Sequence, residues 1–164
     1  LREVEKLIKA VHADWAKAKS KAEARCRRAG RTDLADKLAA CDMFLGIETL
    51  PELVQLMFSP QGIEFMTSFD FPSIETFRQF KPYHPEKLGV YIDSGHISLT
   101  EARNVFLVGD TTAELKYRQT ARNCVNLMCG ANATITASGY SVINIESDRK
   151  SQVAHIVTDH AIVL

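Results

Sequence analysis

The chain holds only five prolines and one tryptophan in 164 residues, and no stretch nears the roughly 20 apolar residues that a spanning helix needs. Proline-rich spacers and membrane-spanning helices are therefore not expected. Leu1–Val11 mixes charges through its apolar positions, so it lacks the continuous apolar run of a secretory signal. Net charge is absent as well, with 20 Lys/Arg against 20 Asp/Glu. There is no HExxH, no CxxC and no phosphate loop; Gly130-Ala-Asn-Ala has neither the glycine-rich turn nor the Lys-Ser/Thr that cradles phosphate. Four cysteines, Cys26, Cys41, Cys124 and Cys129, are too few for a disulfide framework in a chain of this length. Free thiols in a reducing, cytoplasmic setting are expected, with Cys129 a core thiol and Cys124 a loop thiol.

What is present is enough apolar material for a packed core: 46% apolar residues, including eight Phe. Charge is divided unevenly. Residues 1–31 carry ten Lys/Arg and four Asp/Glu, a net +6 that the remaining residues offset. In that basic stretch Val4, Ile8, Val11, Trp15, Ala18 and Ala22 recur at alternating spacings of four and three, one face of a long helix. Gly30 supplies a stop. Thr32 or Asp33 is expected to cap a second helix with Leu34, Leu38, Cys41 and Leu45 on one face, making an antiparallel hairpin. Leu50-Pro51 opens a third helix through Phe58, broken by Ser59-Pro60-Gln61-Gly62. An aromatic run over residues 63–71 is expected to plug a core, and Pro72-Ser73 to start a further helical turn through Phe80. Pro82, Pro85 and Gly89 then read as an extended connector, dividing a helical region 1–84 from a second domain 85–164.

In the second domain short apolar runs alternate with Asn, Asp, Gly, Ser and Thr. Val105-Phe-Leu-Val-Gly, Ala133-Thr-Ile-Thr-Ala and Ala161-Ile-Val-Leu start 28 residues apart, as do Ala113-Glu-Leu-Lys-Tyr and Ser141-Val-Ile-Asn-Ile. Period-two alternation turns Val105/Leu107, Ala133/Ile135 and Ala161/Val163 inward as one column, and Ala113/Leu115/Tyr117 with Ser141/Ile143/Ile145 as another. The expected fold is α+β: a helical hairpin and short helices packed on a short parallel β-helix of about 28 residues and three strands per turn. Gly109, Gly130 and Gly139 fall where its turns need positive φ.

Candidate chemistry is thin. The repeat forces no two carboxylates together, as glycoside cleavage would require. His96, His155 and His160 with Asp159, and the Cys124/Cys129 pair, lack the spacing of a metal site. No cofactor and no metal is expected, and the sequence points away from an enzyme. The basic residues Lys17, Lys21, Arg25, Arg27 and Arg28 lie within about three turns of the first helix and offer a contact for a protein or for nucleic acid. Tyr91, Tyr117 and Tyr140 offer rings on which sugars could stack.

The runs Val105-Phe-Leu-Val-Gly-Asp, Ala133-Thr-Ile-Thr-Ala-Ser-Gly-Tyr and Asp159-His-Ala-Ile-Val-Leu resemble a group of small proteins of gut Bacteroidales, often encoded near mobile elements. The resemblance covers roughly residues 85–164 and brings no catalytic residue with it. It implies an accessory or host–element interaction role. The leading expectation is a non-enzymatic interaction or structural protein that binds another protein or itself through a solenoid surface. A nucleic-acid-associated regulator and a carbohydrate-binding module are the alternatives.

Overall fold

The computed structural model describes residues 2–164, which divide into two compact units, residues 2–80 and Lys81–Leu164.

The first unit is helical. Helix α1 (Arg2–Arg28) follows the expected stripe: Ile8, Val11, Trp15, Ala18 and Ala22 are buried, with Leu7 beside them. Gly30 leaves the helix at φ +74°, a conformation that glycine adopts without a Cβ penalty. Helix α2 (Thr32–Ala39) folds back along α1: Arg27 hydrogen-bonds Asp36 near the turn, and Lys19, two turns earlier, donates to the Cys41 carbonyl at 2.7 Å. Its N-cap is Arg31, without a side-chain cap, in place of Thr32 or Asp33. The expected apolar face is also too long. Ala35 is the fully buried residue, while Cys41 and Leu45 lie beyond the helix end and are exposed. A helix of eight residues cannot carry the stripe further, and Asp42 onward turns away as loop.

Helix α3 (Leu50–Phe58) begins as its residues suggest. Thr49 accepts from the Glu52 amide, Glu52 accepts from the Thr49 amide, and Pro51 sits where no helical N–H is needed. Ser59 ends α3 but does not leave a break. Its hydroxyl caps the Gly62 amide and starts α4 (Pro60–Phe69) at once, because Ser-Pro is as good a start signal as a stop. Ser73 caps α5 (Ile74–Arg78), and Asp14 of α1 holds that turn by accepting from the Ser73 amide and the Thr76 hydroxyl. A chain of ring contacts, Trp15–Phe44–Phe71–Phe65–Phe69, forms the aromatic part of the core.

The second unit opens with two 3₁₀ turns, Lys81–Tyr83 and Pro85–Leu88, where an extended connector was expected. Nine short strands follow: β1 (Val90–Ile92), β2 (Gly95–Thr100), β3 (Asn104–Val108), β4 (Thr111–Tyr117), β5 (Arg122–Met128), β6 (Asn132–Ala137), β7 (Val142–Ser147), β8 (Gln152–Val157) and β9 (Ile162–Val163). All ladders are parallel. The odd strands form one sheet in the order β1-β3-β5-β7-β9 and the even strands a second, β2-β4-β6-β8. The fold is a β-solenoid of about four coils.

The coil length is where the sequence reading fails. Val105 pairs with Val125, Ala113 with Ala133 and Asn132 with Gln152, so a coil is 20 residues and two strands; the first is 16, with Val90 opposite Phe106. Val105, Ala133 and Ala161 do not stack, since Val105 belongs to the odd sheet and Ala133 to the even one. The 28-residue spacing is one coil plus the eight-residue step from a strand to the next, so it compared opposite sheets in successive coils. Both intervals are even, and period-two alternation cannot tell them apart. The facing survives for that reason: Val105, Leu107, Ala113, Leu115, Tyr117, Ala133, Ile135 and Ile143 are all in the buried core cluster. The true columns run Val105–Val125–Ile145, Leu107–Leu127 and Leu115–Ile135–His155.

Candidate functional site: the outward face of the even-numbered sheet

The corners of the solenoid come first, because they absorb most of its acids. At each corner the backbone turns sharply and leaves amides that no ladder can satisfy. Asp93 accepts from the Asp110 amide at 2.8 Å, and Asp159 from the Gly139 amide at 3.0 Å. Glu101 accepts from the amides of Arg118 and Gln119. Asp148, 6% exposed, takes the Cys129 amide on one oxygen at 2.8 Å and the Ser151 amide and hydroxyl on the other at 3.0 and 2.8 Å. These carboxylates bond to the backbone one coil away or within their own corner. They tie successive coils together, and their lone pairs are committed to that work. Gly109, Gly130 and Gly139 all have positive φ, as expected. At Gly139 a Cβ would also sit 2.6 Å from the Arg118 carbonyl oxygen, so the close coil-to-coil approach requires glycine there.

With the corners stitched, the even sheet presents a regular outer face. Alternation puts every second residue outward, and parallel pairing aligns them in three columns. The first is His96–Thr112–Asn132–Gln152, the second Ser98–Glu114–Thr134–Ala154, the third Thr100–Lys116–Thr136–Ile156. Every one of these side chains is exposed apart from half-buried Thr112. Neighbours in a column lie one strand spacing apart, about 4.8 Å, and columns about 7 Å apart. Hydroxyl and amide groups dominate. Glu114 is the single acid on the face and Lys116 the single lysine; Ser98 donates to Glu114 at 3.4 Å, a weak contact along the column. Such a face can form many hydrogen bonds with a flat partner, but it brings no acid and base together around a reacting atom.

The other candidate residues are scattered. Lys17, Lys21, Arg25, Arg27 and Arg28 all stand exposed on α1. Helical geometry groups Lys17, Lys21 and Arg28 on one face, and none of these three has an ion-pair partner among the described residues. Arg27 is spent instead on Glu23 and Asp36, at 3.0 and 2.9 Å, and these two carboxylates raise its pKa above the usual arginine value. Arg25 lies over the ring of Phe69, 5.3 Å from its centroid.

The tyrosines do not form a sugar platform. Tyr117 is buried and donates to the Ala102 carbonyl at 2.8 Å; burial first, then the nearby Glu101 and Cys124, push its phenol well above the ordinary tyrosine range. Tyr91 shares the inward register of Leu107. Tyr140 is 61% exposed, but one face of its ring is stacked on His160 at 4.7 Å. Cys124 lies within β5 and Cys129 at a corner with φ +61°, the reverse of the expected assignment, because β5 begins earlier than its apolar residues suggest. None of the four cysteines is in a disulfide. Among the described residues no three His, Cys, Asp or Glu side chains converge as metal ligands, and no helix is long and apolar enough to cross a membrane. Comparison with protein-family models, with characterised proteins and with solved structures finds no significant match.

Proposed function

We propose that this chain is a non-enzymatic interaction or accessory protein whose contact surface is the outward face of the even-numbered sheet. One observation carries the reading: a four-stranded face exposes three aligned columns of mostly polar side chains, while Asp93, Glu101, Asp148 and Asp159 are hydrogen-bonded to corner backbone. The partner is a protein, or a second copy of this chain, with a flat polar surface that matches a grid of hydroxyls and amides. The accessory role implied by the resemblance over residues 85–164 agrees with this, and four cysteines without a disulfide fit a reducing cytoplasm. The test is the double variant Thr134→Arg/Thr136→Arg, which places two long cations on exposed positions and should leave the unfolding midpoint unchanged. Light scattering and affinity capture from native lysate are compared for the two proteins. Self-association or a captured protein that the variant loses supports the reading. Identical behaviour of the variant and the wild type overturns it.

A second reading rests on the α1 stripe of Lys17, Lys21 and Arg28, which is exposed and has no ion-pair partner among the described residues. It predicts salt-sensitive binding of DNA or RNA, measured by fluorescence anisotropy. Changing those three residues to Ala should abolish binding, and Arg27→Ala should change it little, since Arg27 is already neutralised by Glu23 and Asp36. Equal affinity of the triple variant and the wild type removes this reading.

A further inference from the structure

The helical unit contains a cleft of about 520 Å³ between α1, α2, the segment after α2, and α4. Its volume falls in the range of small-molecule sites, roughly 300–1,000 Å³. The walls are apolar: Trp15, Leu34, Leu38, Met43, Phe65 and Phe69. Five of these six are only half-buried, so the fold leaves apolar surface open here that elsewhere in the unit it covers. The charged side chains of the lining are two cations and one acid, Lys19 and Arg25 against Glu64.

The two cations are held in place by the cleft's own rings. Lys19 Nζ lies 4.8 Å from the centroid of Trp15 and donates one hydrogen bond to the Cys41 carbonyl, which leaves two of its N–H groups. Arg25 lies over the Phe69 ring, its Cζ 5.3 Å from the ring centroid. A cation–π contact consumes none of the guanidinium's N–H groups, and the Arg25 side chain makes no hydrogen bond or ion pair among the described residues. An apolar hollow with a pre-oriented, unpaired guanidinium at its rim has the chemistry to take an apolar body that ends in an anion.

We propose that this cleft binds a small hydrophobic carboxylate, with its apolar body against Trp15, Phe65 and Phe69 and its carboxylate on Arg25, in the field of Lys19. This does not depend on the solenoid surface and stands or falls separately from it. A peptide or a second copy of the chain is a less suitable occupant, because the hollow is walled by four segments and its two cations and one acid leave one net positive charge to be met.

The chain carries its own probes. Trp15 is the only tryptophan, so intrinsic fluorescence reports on this cleft alone. Cys26 and Cys41 line the cleft, whereas Cys124 and Cys129 lie in the other unit and serve as references for alkylation. Decanoate, below its micelle-forming concentration, is titrated against the full chain beside decanol, which has the same apolar body without the charge. The expected result is a saturable change in Trp15 fluorescence with decanoate, at least about tenfold weaker binding of decanol, and selective protection of Cys26 and Cys41 from iodoacetamide. Arg25→Gln, at an exposed position, should keep the unfolding midpoint, lose about tenfold in decanoate affinity and leave decanol unchanged. Absence of a saturable change overturns the proposal. Equal binding of decanol and decanoate, or an Arg25→Gln variant that binds decanoate as the wild type does, overturns it too. So does protection of the two cleft cysteines that rises with protein concentration alone, which assigns the cleft to a second copy.

Discussion

The two units bury apolar surface by different routes. In the solenoid each inward side chain lies between the equivalent residues of the coils before and after it, as Ile135 lies between Leu115 and His155. One register decision, 20 residues per coil, is applied again and again, and carboxylates at the corners hold successive coils to it. The helical unit has no repeated register. Its core is a set of contacts each made once, such as the edge-on packing of Phe44 against Trp15 and Phe71, and it leaves a hollow where α2 is too short to close over α1 and α4. Repetition makes a solenoid core uniform from coil to coil. A mosaic of unique contacts leaves irregularities, and those are where a ligand can sit.

The sharpest way to break the contrast is a charge inside a column. Ile135→Asp puts a carboxylate at a fully buried position inside the apolar core cluster and should cost several kcal/mol, enough to unfold the solenoid, whereas Thr134→Asp one residue away should stay within about 0.5 kcal/mol. Denaturant unfolding followed by far-UV circular dichroism measures both, and similar losses would mean that the inward and outward faces are wrongly assigned. In the helical unit Phe44→Ala should cost about 3–5 kcal/mol through lost burial and the cavity between Trp15 and Phe71, read from the helical signal near 222 nm. Asp148→Ala should cost about 1.5–3 kcal/mol, since it strands the amides of Cys129 and Ser151 at a buried corner. Asp148→Asn keeps an acceptor and should recover part of that loss. Thr49→Ala removes half of the α3 capping box and should cost about 1 kcal/mol, a purely local effect.

The smallest effect is invisible at neutral pH. Because burial raises the Tyr117 phenol above its unfolded value, the folded state stays protonated where the unfolded chain ionises. Its contribution is therefore complete below about pH 10, the ordinary tyrosine pKa, and is lost as pH rises beyond it. Absorbance at 295 nm should show one phenol of the four that ionises only as the chain unfolds, and Tyr117→Phe should remove that step.

Much of this was legible from local chemistry. The α1 stripe, the Leu50-Pro51 start of α3, and the inward facing of Leu107, Leu115, Ile135 and Ile143 follow from periodicity and turn chemistry, which act within a few residues; the Thr49/Glu52 capping box went unread. The length of α2 was misjudged because apolar spacing continues into a loop, where Cys41 and Leu45 keep the period without the helix. The corner role of Asp148 and Glu101 left a faint trace, acids placed at intervals just outside the strands, but their amide partners at Cys129 and Arg118 are 19 and 17 residues away.

Alone, the sequence determined that a helical half precedes a parallel β-solenoid, and which side chains of each strand face inward, because alternation and capping are properties of the chain over one or two turns. Tertiary structure alone decided which strands stack. Coils of 20 and 28 residues put the same residues inside, and the choice between them lies in hydrogen bonds from one coil to the next and in carboxylates that reach across corners. The cleft was equally out of reach of the sequence, for Trp15, Leu38, Met43 and Phe69 become its walls only when four separate segments fail to fill the space between them.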